Sequence, residues 1–144
     1  MSAPSRLLTL SLLRGRYAVV RLAPDAEVPA WATQGEFFSI TRTREELSIL
    51  CLTNSIPSAD RPLADWRVLK VHGPFQFDEL GVIENLASPL AAAAVGIFVI
   101  STFDTDYLLV QCKDIRKAIA TLQSDGHTIL EGAVMFNDLK ENEE

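Results

Sequence analysis

Two runs of the chain are apolar at every position: Ile97, Phe98, Val99 and Ile100, then Tyr107, Leu108, Leu109 and Val110. The segment between them, residues 101–106, is made almost wholly of hydroxyl and carboxylate side chains. A strand without alternation must be covered on both faces or held at a sheet centre. Two such strands joined by a short polar segment read as a hairpin. On either side the period changes. Leu80, Ile83, Leu86, Leu90 and Ala94 recur at helical spacing, which predicts a helix over residues 79–95. Pro89 should kink or split that helix, and Gly96 stands where its C-cap would lie. Ile115, Ala118, Ile119 and Leu122 form a second helical stripe, with Asp114 placed to cap it and Gly126 to end it. Strands at residues 66–72 and 127–130 complete the order strand, helix, strand, strand, helix, strand. That is the ferredoxin-like βαββαβ order, with helices covering one face of an antiparallel sheet.

The first half is less regular. Residues 7–13 and 17–22 are rich in strand formers, and Arg14-Gly15-Arg16 between them predicts a hairpin. Pro24 and Pro29 leave room for only a short helical turn before residue 31. Residues 37–42 and 47–52 form a second strand pair around the charged tip Arg42, Arg44, Glu45 and Glu46, which reads as solvated. Pro57 and Pro62, among Ser, Ala and Asp, mark a connection between halves. The expected organisation is an α+β chain of two tandem βαββαβ modules, the first degenerate for want of a long helix. Their bounds are residues 1–62 and 63–137, followed by a charged tail at 138–144.

The bulk chemistry removes several functions. Of 144 residues 48% are apolar and 22% charged, which suits a packed core, and the net charge of −6 repels nucleic acid and anionic membranes. Arg6, Arg14, Arg16 and Arg21 precede the first acid, Asp25, and read as solvated strand residues. The apolar stretch 7–13 is too short for a signal-peptide core or a membrane span. A cytoplasmic protein without nucleic-acid or membrane partners is expected. Cys51 and Cys112 sit in apolar strand-like runs and read as buried thiols. His72 and His127 have no neighbours at metal-ligand spacing, and no nucleotide-binding, hydrolase or Cys-x-x-Cys motif occurs. No metal, no cofactor and no catalysis are expected, although a Cys–His pair assembled in space leaves no mark in a sequence.

Several blocks resemble the small tandem ACT-domain proteins. They are Phe37 to Thr43, Glu46 to Ile49, Trp66 to Val71, Gly81-Val82-Ile83 with Ser88 to Ala91, and above all Ile97 to Val110. The chain is also similar to half of the CASTOR-type arginine sensors, which carry four such modules. The resemblance implies ligand-responsive βαββαβ modules that pair across sheets or dimer interfaces and bind amino acids there.

The residues meet that expectation chemically. A free amino acid presents a carboxylate and an ammonium, so its site needs amide donors at one end and acceptors at the other. The helix start at Gly81, Val82 and Ile83 supplies unpaired N–H groups and a positive dipole end. Gly81 permits close backbone approach, or alternatively eases helix–sheet packing. Asp104 and Asp106 in the hairpin turn can accept from an ammonium or guanidinium, or can serve as turn formers. By resemblance to the arginine sensors Asp106 is the stronger candidate. Thr102, with Ser101 and Thr105, adds hydroxyls, while Ser39, Ile40 and Thr41 are candidates to close the pocket from the first module. The expected function is a regulatory sensor that forms a homodimer and binds a small molecule, an amino acid, so altering its association with an unidentified protein target. The alternatives are a ligand-free dimerising scaffold and a small enzyme with an unrecognised site.

Overall fold

The computed structural model describes residues 7–72 and 81–132. The turn at Gly73-Pro74, the acids Asp78 and Glu79, the first residues of the expected long helix and the charged tail lie outside the described residues. Along the described chain run β1 (Thr9–Leu12), β2 (Tyr17–Leu22), β3 (Ser39–Arg42), β4 (Leu47–Leu52) and β5 (Trp66–Val71). Then come α1 (Val82–Ala92), β6 (Ile97–Ser101), β7 (Asp106–Gln111), α2 (Ile115–Ser124) and β8 (Thr128–Leu130). The fold is α+β and ferredoxin-like. It divides into two units, one of residues 15–66 and one that joins residues 1–14 to residues 67–144.

In the larger unit the strands run in the order β8-β1-β5-β7-β6. β6 and β7 form the expected hairpin, from Ile97 opposite Val110 to Ser101 opposite Asp106. The hairpin expected between β1 and β2 does not form. β1 pairs antiparallel with β5, Leu10 opposite Val71, and parallel with β8, Leu10 opposite Ile129. It thereby separates two strands that a plain βαββαβ sheet would place side by side. Burial explains the outcome, because Leu8 and Leu10 are 4% and 0% exposed and join the core beneath the helices. A local turn contributes far less than burying two leucines, each about 1.5–3 kcal/mol.

That core takes Leu69, Val71, Leu108 and Val110 from the sheet, Val82, Leu86 and Leu90 from α1, and Ile115, Ala118, Ile119 and Leu122 from α2. Both helices therefore lie on one sheet face. α1 continues through Pro89 instead of splitting. Proline cannot donate to the carbonyl four residues earlier, that of Asn85, and His127 does so instead with Nε2 at 3.3 Å. The proton sits on Nε2 because Nδ1 accepts the Leu8 N–H at 3.1 Å. The helix ends earlier than expected. Its left-handed residue is Ala94, at φ +62°, and the Val95 N–H closes on the Leu90 carbonyl at 2.9 Å. Gly126 ends α2 as anticipated, at φ +98°. Asp114 makes no side-chain cap; a 3-10 turn, Cys112–Asp114, leads into α2. Cys112 accordingly lies in that turn, half-buried, and not within a strand.

The smaller unit repeats the plan in reduced form. Its strands run β3-β4-β2, the same order as β6-β7-β5. The 3-10 turn Ala30–Thr33 stands in the chain position of α1, and two more, Thr53–Ser55 and Ser58–Asp60, in that of α2. Its own core gathers Ala18, Val20, Ala32, Leu47, Ile49, Cys51 and Ile56. Prolines at 24 and 29 limit the first connection to a single turn. Among the described residues no helix is long and apolar enough to cross a membrane.

Candidate functional site

The hairpin candidates of the larger unit, Thr102, Asp104 and Asp106, lie at the end of its sheet where β5 finishes. β5 and β7 are neighbours there, and β7 begins at the tip of the β6–β7 hairpin. A hydrogen bond ties that tip to the end of β5: the Thr105 hydroxyl, buried at 7% exposure, donates to the Val71 carbonyl. Val71 is the last residue of β5, from which the chain proceeds to Gly81 and α1.

Gly81 precedes α1 in the left-handed region, φ +79°, with its carbonyl accepting the Asn85 N–H at 2.9 Å. A Cβ built on it would meet nothing within 4 Å. Helix–sheet packing is therefore not what the glycine serves; its backbone conformation is. No side chain caps the helix start. Val82 is 7% exposed and Ile83 packs partly against the same core, so both side chains are committed to packing. What these positions offer a ligand is backbone N–H, backed by the positive end of an 11-residue helix.

Asp106 opens β7 half-buried, and the Ser101 hydroxyl opposite it donates to its Oδ1 at 2.5 Å. Asp104 is exposed at the turn. Thr102 closes the turn, since its hydroxyl donates to the Thr105 carbonyl at 3.0 Å and accepts the Thr105 N–H at 3.3 Å. Ser39 and Ile40 lie on β3 in the smaller unit, opposite Leu50 and Ile49, with Ile40 packed partly on that unit's core. Two contributors are invisible to residue reading. Thr105 is one hydroxyl among several in the sequence, and its reach to Val71 depends on strand pairing. His127 reads as the first residue of a strand, whereas it follows the α2 cap and bonds α1 and the residue before β1.

Elsewhere, Ser11 Oγ and His72 Nε2 are 2.5 Å apart on an exposed surface. Arg116 pairs with Glu131 at 2.6 Å, also on an exposed surface. Among the described residues, no group of three His, Cys, Asp or Glu side chains is placed to hold a metal ion. Burial pushes the Cys51 thiol above its ordinary value of 9.0.

Comparison with known proteins adds independent evidence. The family model described as ACT domain matches residues 63–124, and a second model, described as an N-terminal domain, matches residues 15–59. The human and bovine proteins named cytosolic arginine sensor for mTORC1 subunit 1 are each 42% identical over 59 residues, 40% of this chain and 18% of theirs. The human protein CASTOR3P is 30% identical over 106 residues, 65% of each chain. The chain thus matches about a fifth of the length of the arginine sensors. A crystal structure of an Agobacterium tumefaciens protein superposes with a TM-score of 0.80 at 44% identity, covering 90% of this chain and 95% of that one. A Vibrio cholerae protein shares the fold at a TM-score of 0.67 and 16% identity, covering 82% of this chain and 89% of its own.

Proposed function

Residues 63–124 of this chain match the ACT-domain family, and we propose that the chain is a regulatory protein that binds an amino acid beside the start of α1. The observation that carries the reading is the Thr105–Val71 hydrogen bond, which brings the acidic hairpin to the end of the strand that feeds α1. The ligand carboxylate meets the N–H groups of Val82 and Ile83, where Gly81 leaves the approach open and the helix dipole favours negative charge. Its cationic end meets Asp106, whose carboxylate is held in place by Ser101, with Asp104 and Thr102 at the rim. Charge-assisted bonds of this kind are about twice as strong as neutral ones. Binding then alters association, with a second copy and through it a target protein, because a ligand shifts an equilibrium only through unequal affinity for its two states.

The test is a thermal-shift screen of the twenty amino acids. At a hundredfold excess over its dissociation constant, a ligand of the native state adds about 2.7 kcal/mol of stability. One or a few amino acids should raise the melting midpoint, and Asp106→Ala should remove the response without unfolding the chain. A folded protein indifferent to all twenty would overturn the proposal.

A further inference from the structure

The two units close their hairpins alike but carry different residues at one matched position. Arg42 opposite Leu47 ends the β3–β4 ladder, as Ser101 opposite Asp106 ends that of β6 and β7. In both turns the next residue is a threonine. The Thr43 N–H bonds the Glu46 carbonyl and the Thr102 N–H that of Thr105, each at 2.8 Å. Thr43 Oγ1 also accepts the Glu46 N–H at 3.2 Å, as Thr102 Oγ1 accepts that of Thr105. Arg42 therefore stands where Ser101 stands.

The side chains at that position act differently. Ser101 is short and donates across the ladder to Asp106. Arg42 reaches to the loop that leaves β2, where Nη1 donates to the Pro24 carbonyl and Nη2 to the Ala26 carbonyl at 2.8 Å. The loop is itself turned, with the Ala26 N–H bonding the Ala23 carbonyl at 3.0 Å. Two convergent carbonyl acceptors facing one planar fork form a cradle for a guanidinium, which an ammonium on a flexible stem does not match. This loop leaves β2, so the contact bridges the hairpin of the smaller unit and the loop that follows that unit's first strand.

We infer that Arg42 is the smaller unit's own ligand: its guanidinium occupies a carbonyl cradle at Pro24 and Ala26, so that each chain takes up one ligand instead of two. The count of one rests on the proposed amino-acid site; the cradle stands without it.

Chemical rescue tests the cradle. Arg42→Ala should lower the melting midpoint by roughly 3–6 °C, and millimolar ethylguanidinium should recover at least half of that loss while ethylammonium does not. Wild type should respond to neither. An unchanged midpoint in the variant, or equal recovery by both cations, overturns the cradle. Should Arg42→Ala fail to fold, Arg42→Lys keeps the charge and loses the fork. Hydrogen exchange at residues 23–28 should then quicken in that variant and slow again with ethylguanidinium; unaltered exchange overturns the inference equally. Calorimetric titration of wild type with an amino acid that stabilises it should return one molecule per chain, and two would overturn the count. If no amino acid binds wild type, the proposed function fails, while the rescue experiment still decides the cradle.

Discussion

At the scale of single residues, the two helix ends make a natural comparison. α2 ends on Gly126 at φ +98°, and a Cβ there would sit 2.9 Å from the Leu7 side chain. α1 ends on Ala94 at φ +62°, where the alanine bears a backbone penalty that glycine avoids. Ala94→Gly should therefore stabilise the protein by about 0.5–1 kcal/mol, after allowing for glycine's greater freedom in the unfolded chain. Urea unfolding decides it, and a destabilised variant would show that the αL conformation is no burden. Cys51 gives a pH-dependent counterpart. Its folded-state value lies above the ordinary 9.0, so between the two values the native state holds more protons than the unfolded chain. Stability is full below the ordinary value and declines as pH rises through it. Cys51→Val should flatten that alkaline decline; an identical slope in the variant would assign it to other groups.

Elements show where sequence reading succeeds and where it stops. Both helices and the β6–β7 hairpin were legible because their signals are local: apolar spacing, a polar turn, a glycine stop. The placement of β1 was not, since Leu10 finds Val71 and Ile129 across the chain and no neighbouring residue records that choice. The same holds within the candidate site. Asp104 and Asp106 were visible as acids in a turn, whereas the Thr105 bond to Val71 exists only once strands are paired. Pro89 marks the clearest failure of a local rule. The break it should cause in α1 is averted by His127, which takes over the Asn85 carbonyl while accepting the Leu8 N–H. Removing the imidazole by His127→Ala should cost about 2–3 kcal/mol, because the buried Leu8 N–H loses its acceptor and the part-buried Asn85 carbonyl loses a donor. In a Pro89→Ala background the helix can supply that donor itself, so the same substitution should cost about 1 kcal/mol less. A double-mutant cycle in urea measures the difference. Equal losses in both backgrounds would mean that proline and histidine act independently.

For the whole molecule, the matter to explain is how the proposed ligand binding would become a signal in a chain of 15.9 kDa. β6 offers the means. Among the described residues it pairs only with β7, and Ile97, Phe98, Val99 and Ile100 bring neither charge nor proline to that edge. Native edge strands are normally protected by lysines, prolines or bulges, since unpaired N–H and C=O groups recruit other strands. The strand is apolar, and we propose that it pairs antiparallel with a second copy; the hairpin that carries it is the one proposed to meet the ligand. A homodimer follows as the expected state, with a solution mass twice that of the chain. Phe98, 37% exposed on β6, is the position to challenge. Phe98→Lys places a charge on β6 at a residue outside the core beneath the helices, so the fold should survive while the mass falls to that of one chain. Light scattering across a dilution series reads both states. A wild type that remains single at high concentration would remove β6 as the mating edge, and so would a lysine variant as dimeric as its parent.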